Sequence, residues 1–102
     1  MKIENGPRVL VVDDEPSIVD AVATSLRYEG FTVDEAMTGR KALAQAQEDP
    51  PDLVILDVML PDLDGLEVTR RLRADGVRVP VLFLTARDTL SDKLAGLTIG
   101  GD

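Results

Sequence analysis

Three apolar stretches of this chain end in oxygen-bearing side chains: residues 9–12 lead into Asp13 and Asp14, residues 53–56 into Asp57, and residues 81–84 into Thr85. Three carboxylates meeting without a counter-charge repel one another and raise at least one pKa, so such a cluster favours a bound cation or a shared proton. Oxygen-only ligands suit a hard cation, and Mg²⁺ commonly takes one or two carboxylates, several waters and a substrate phosphate in an open site. Beside Mg²⁺ a carboxylate can attack phosphorus, because the metal screens the repulsion between two anions and aligns the transferring group. Asp57 is the candidate nucleophile, and Thr85 is the candidate hydroxyl donor to a phosphoryl oxygen. Asp57, Asp62 and Asp64 lack the flanking pattern of an EF-hand loop. The chain has no Cys and no His, which removes disulfides, thiolate chemistry, the usual general base and the usual transition-metal ligands.

The elements that must position these groups follow from pattern. Continuous Val/Ile/Leu runs bounded by Pro or charge fit parallel strands buried on both faces. Strands are expected at 8–13, 31–35, 52–57 and 81–84, the second with the apolar/polar alternation of an edge. A helix beginning at Pro16 carries an apolar stripe of Ile18, Val19, Val22, Ala23 and Leu26, with Gly30 placed for a left-handed cap. Thr38 is the expected N-cap of a second helix, 39–48, with Ala42, Leu43 and Ala46 buried. Asp64 leads into a third helix, 65–74, with Leu66, Val68 and Leu72 facing the sheet. A capping-box pattern from Thr89 to Asp92 opens a fourth helix that dissolves at Gly100. The order βαβαβαβα implies an α/β fold: a doubly wound parallel sheet with helices on both faces. A reversal of strand order would set the first and third strands side by side and bring Asp13, Asp14 and Asp57 into one crevice.

A length of 102 residues suits one domain that buries roughly 60–70% of its unfolded surface. The expected division is a polar lead over 1–7 and one domain over 8–102. Eleven basic against nineteen acidic residues give a net charge of −8, which repels nucleic acid from most of the surface. Residues 1–8 lack the apolar core of a signal peptide, and no apolar run approaches the ~20 residues of a membrane span. The expectation is a cytoplasmic domain without a membrane segment.

The pieces Val11-Val12-Asp13-Asp14-Glu15, Leu56-Asp57-Val58-Met59-Leu60-Pro61-Asp62-Leu63-Asp64-Gly65 and Leu84-Thr85-Ala86-Arg87, in this order and on these strands, resemble the receiver domain of bacterial two-component response regulators. The tail from Asp88 looks most like the subfamily carrying a winged-helix DNA-binding domain. The resemblance implies a flavodoxin-like three-layer sandwich with strand order 2-1-3-4. It makes Asp57 the phosphoacceptor, Asp14 a direct Mg²⁺ ligand, Asp13 a ligand acting mostly through water, and the Met59 carbonyl a further ligand. Thr85 would move toward the phosphoryl group, and the Met59 and Arg87 side chains would flank the path of the hydrolytic water. The implied partners are a sensor histidine kinase, a second copy forming a homodimer through the fourth-helix face, and DNA only through a C-terminal domain outside this chain. The resemblance further implies a regulatory domain rather than an enzyme, one that assists its own phosphorylation and dephosphorylation.

Plainer readings exist for the same residues. Asp13 and Asp14 could merely cap the first helix, and Arg70, Arg71 and Arg73 read most simply as a solvated helix face. A phosphorylation-independent dimerisation module is the alternative function, although the acidic residues and Thr85 are all present. An aspartate-nucleophile phosphatase would want a carboxylate two positions after Asp57, where Met59 stands. The resemblance also calls for a fifth strand beginning with Lys, and a fifth helix. Neither lies within the 102 residues, and Lys41 and Lys93 fall on expected helices. On this reading the fourth strand is left as an unpaired apolar edge and the chain folds marginally or belongs to a longer one.

Overall fold

The computed structural model describes residues 6–84 and 98–100. Within them the order is β1 (Arg8–Val12), α1 (Pro16–Tyr28), β2 (Thr32–Ala36), α2 (Gly39–Glu48), β3 (Leu53–Asp57), α3 (Gly65–Ala74), β4 (Val81–Leu84) and β5 (Thr98–Gly100). The first four strands are parallel and stand in the order β2-β1-β3-β4, as expected. β1 and β3 are therefore neighbours.

Strands in the middle of this sheet are apolar throughout because each face has its own core. Leu10 and Val12 of β1 and Val54 and Leu56 of β3 face α2 and α3, packing with Ala42, Leu43, Ala46, Val68 and Leu72. Val9, Val11 and Ile55 face the other way, toward Val19 and Ala23 of α1. Side chains alternate across a strand, so burial on both sides requires an unbroken run.

The helix ends are set locally. Gly30 has φ +100°, Gly30 N donates to Arg27 O at 3.0 Å, and Phe31 N donates to Leu26 O at 3.1 Å. Those two bonds form a Schellman cap, and Gly76 with Val77 repeats it at the end of α3 (φ +83°, Gly76 N to Arg73 O, Val77 N to Leu72 O). At the start of α2, Thr38 Oγ1 accepts from Lys41 N at 3.1 Å, as its position in the sequence suggests. Arg73 donates to the Val77 and Val79 carbonyls, while Arg70 and Arg71 reach back to Glu67. The three arginines thus serve their own helix and turn.

Glu67 supplies a pH prediction. The hydrogen bonds from Arg71 and then Arg70 hold its carboxyl below the usual glutamate range. A depressed folded pKa contributes stability that is present above the unfolded pKa, about 4.3, and is lost as pH falls through the folded value. The wild-type advantage over Glu67→Gln in urea midpoint is therefore expected at pH 7 and should vanish in stronger acid. A gap that widens on acidification would contradict the pairing.

Two expectations are corrected. Leu66 is exposed (60%), because the buried face of α3 is Gly65, Val68, Thr69 and Leu72, a stripe that Leu66 lies beside. β4 is not an unpaired edge: residues 98–100, expected as the end of a fourth helix, pair with it antiparallel, with Val81 opposite Gly100 and Phe83 opposite Thr98. An edge strand presents a row of unsatisfied N–H and C=O groups, and a short antiparallel segment satisfies part of that row. The expected start of the fourth helix at Thr89, and Lys93, lie outside the described residues.

Candidate functional site

Register assembles the site. Val12 pairs with Leu56 across β1 and β3, so the next position on each strand brings Asp13 beside Asp57 at the carboxyl ends. The strand order reverses at this point, since β2 lies on one side of β1 and β3 on the other. Ligand crevices of open α/β sheets form at such switch points. Asp13 and Asp57 are almost wholly buried (1% and 2% exposed), whereas Asp14 is exposed. One carboxylate oxygen from each of Asp13, Asp14 and Asp57 lies within 4.8 Å of the others. The structure therefore brings together the three acids that the sequence singled out.

Backbone amides fix the two buried carboxylates. Glu15 N donates to Asp13 Oδ1 at 2.9 Å, and Met59 N donates to Asp57 Oδ1 at 3.1 Å. Asp13 N continues the ladder to Ala36 O at 3.2 Å. The N-cap position of α1 is held by Glu15, whose side chain makes no capping bond, while the Asp13 carboxylate takes the Glu15 amide just ahead of the helix.

The loop 58–64 leaves β3 under tight constraint. Val58 N donates to Leu84 O at 3.3 Å, and Gly65 N donates back to Val58 O at 2.7 Å. A Cβ on Gly65 would stand 2.6 Å from the Asp57 carbonyl oxygen and 3.0 Å from Val58 Cα, so the loop closes this tightly only over a glycine. Asp64 Oδ1 accepts from Glu67 N at 2.8 Å and caps α3. Met59 turns its side chain outward (65% exposed). Leu84 lies opposite Asp57 in the ladder. Thr85 and Arg87 lie outside the described residues.

Asp62 was not singled out by sequence pattern. Its Oδ1 accepts from Gly39 N at 2.8 Å and its Oδ2 from Arg40 N at 2.9 Å, so it caps α2 from the loop after β3. Burial pushes its carboxyl up, but the amides of Arg40, Gly39, Leu63 and Asp62 itself outweigh this and hold it below the usual aspartate range. The one sequence signal was an Asp that neither of the neighbouring helices needed for itself.

An oxygen-only set of three carboxylates, two of them buried, fits a hard divalent cation and does not fit a soft one. Among the described residues it is the one group of three or more metal-ligating side chains found that close together. No described helix is long and apolar enough to cross a membrane.

Comparisons with known proteins agree with this geometry. The probable transcriptional regulatory protein TcrX of Mycobacterium tuberculosis is 52% identical over 94 residues, covering 92% of this chain and 40% of that protein. The response regulator MprA of Mycolicibacterium vanbaalenii is 50% identical over 95 residues, covering 93% and 41%. The chain thus spans about two fifths of the length of these relatives. Among solved structures, the Francisella response regulator 1452 receiver domain aligns with TM-score 0.77 at 32% identity, over 89% of this chain and 75% of that one. The response regulator TrrA of Thermotoga maritima, solved in complex with Mg²⁺-BeF, aligns with TM-score 0.76 at 37% identity, over 88% and 78%. The family description "response regulator receiver domain" matches residues 9–102, and with that span added to the strand order and the acidic crevice, the chain belongs to the response regulator receiver domains.

Proposed function

We propose that this domain accepts a phosphoryl group on Asp57 from the phosphohistidine of a partner kinase, with Mg²⁺ held by Asp13, Asp14, Asp57 and the Met59 carbonyl. The observation that carries the reading is the convergence of the three carboxylates, oxygen to oxygen within 4.8 Å, at the ends of β1 and β3. When bound, Mg²⁺ would neutralise charge between the carboxylate and the phosphoryl oxygens. An Asp57 carboxylate oxygen attacks phosphorus in line. The new O–P bond forms as the P–N bond of the phosphohistidine breaks, and the imidazole leaves with that electron pair. The Met59 amide on Oδ1 holds the plane of the carboxylate, so attack begins from a preset orientation.

Thr85 is assigned to the phosphoryl oxygens, and the Met59 and Arg87 side chains to the path of the water that later hydrolyses the acyl phosphate. Phosphorylation adds roughly −1.5 to −2 charge and strong acceptor oxygens, which bias a two-state surface. That surface is the region following Thr85, where a homodimer would form and control a DNA-binding output domain. The TcrX relative, a probable transcriptional regulatory protein by name, supports this output, and the TrrA complex supports the metal. The domain would act in the cytoplasm, where its kinase partner presents phosphohistidine.

Incubation with Mg²⁺ and a small acyl phosphate, followed by intact-mass measurement, tests the reading. The expected product carries one labile phosphoryl group, located at Asp57 and absent when Mg²⁺ is chelated. An adduct on another residue, or none, overturns it in favour of a module that docks without phosphorylation.

A further inference from the structure

We propose that Asp62 is a positioning residue for the metal site: it clamps the loop 58–64 to the N-terminus of α2 and thereby holds the Met59 carbonyl in place. The inference rests on the phosphoacceptor reading above. The first three amides of α2 have no partner within their own helix. Lys41 N is served locally by Thr38, but Gly39 N and Arg40 N are both served by Asp62, 23 and 22 positions further along the chain. A cap taken from so far away ties two segments together, which a local cap does not do.

The approach at this contact is close enough to matter. A Cβ on Gly39 would stand 3.0 Å from Leu63 Cβ and 2.9 Å from Val68 Cγ2, so loop, α2 and α3 meet at one point. α2 is itself immobilised by Ala42, Leu43 and Ala46, all buried in the core shared with α3. Its N-terminus is therefore a rigid reference. The loop is anchored at its start by the Asp57–Met59 bond and at its end by Gly65 N to Val58 O. Asp62 supplies the anchor between them, three residues past Met59. Groups that orient a metal's ligands commonly control affinity without touching the ion.

The test compares two caps of the same helix end by calorimetric Mg²⁺ titration and thermal unfolding. Asp62→Ala is expected to weaken Mg²⁺ binding about tenfold, and Asp62→Asn, which keeps one acceptor oxygen, is expected to weaken it less. Thr38→Ala should lower the thermal midpoint while leaving Mg²⁺ affinity at the wild-type value, because that cap does not reach the loop. Equal effects of Asp62→Ala and Thr38→Ala on Mg²⁺ affinity overturn the clamp. Should Asp62→Ala fail to fold by circular dichroism, Asp62→Asn against Thr38→Ala decides on the same criterion. A wild-type chain that binds no Mg²⁺ and takes no phosphoryl group overturns the phosphoacceptor reading, and the clamp with it. A wild-type chain that does both, beside an Asp62 variant of unchanged affinity, overturns the clamp alone.

Discussion

Asp57→Asn is expected to abolish the phosphoryl adduct while leaving the fold intact, and Asp57→Glu is expected to slow adduct formation about a hundredfold. The two substitutions separate chemistry from shape. Asn keeps the length of the side chain and an Oδ1 that can accept the Met59 amide, so the constraint on loop 58–64 survives. Its amide has no anionic oxygen with which to attack phosphorus, so the loss should be complete. Glu keeps the anion but adds a methylene in a position only 2% exposed, which displaces the attacking oxygen by more than the ~1 Å that commonly costs a factor of a hundred. Intact mass after exposure to Mg²⁺ and an acyl phosphate reads both, with circular dichroism to check folding. Asp57→Asn that still takes up label would move the nucleophile elsewhere.

Gly65→Ala should lower stability by about 2 kcal/mol and impair phosphoryl acceptance as well. The new methyl would stand 2.6 Å from the Asp57 carbonyl oxygen and 3.0 Å from Val58 Cα, both of them backbone. No side chain can rotate aside to make room, so either α3 or the end of β3 must shift. Overpacking of this kind costs about 1–3 kcal/mol, whereas the helix-propensity gain of Ala over Gly returns up to about 1 kcal/mol. The steric cost wins, and it falls on the residue that carries the proposed nucleophile. Urea unfolding and the rate of adduct formation would be measured together. A variant of wild-type stability and rate would mean that the loop relaxes without cost.

Much of this architecture can be read from residues in order, for physical reasons that differ by element. The four parallel strands are visible because burial on both faces forces runs such as Val9 to Val12 and Leu53 to Leu56. Thr38 and Gly30 are visible because each acts on amides or carbonyls within a few positions of itself. The acids converge because β1 and β3 are neighbours in register; alternation with helices implies a parallel sheet, and the order 2-1-3-4 is what the family resemblance implies. Asp62 was opaque for the opposite reason: its partners are more than twenty positions away. β5 is a three-residue strand, too short for periodicity to register, and its pairing is set by what β4 lacks. Leu66 was misplaced because a leucine in an amphipathic helix was credited to the apolar stripe one position away from where the stripe runs.

The pairing of Val9 with Leu53 joins positions forty-four apart, the widest separation among the strand pairs. Closing that loop costs chain entropy before any contact repays it, and long-range parallel pairing is intrinsically slow. During synthesis β1 and β2 can meet early, but the central seam waits until β3 has emerged, with Asp57 as its last residue. The acidic crevice exists only once that seam has closed. Cation binding would therefore appear only after β3 has joined β1, making the appearance of the site a clock for closure of the central seam.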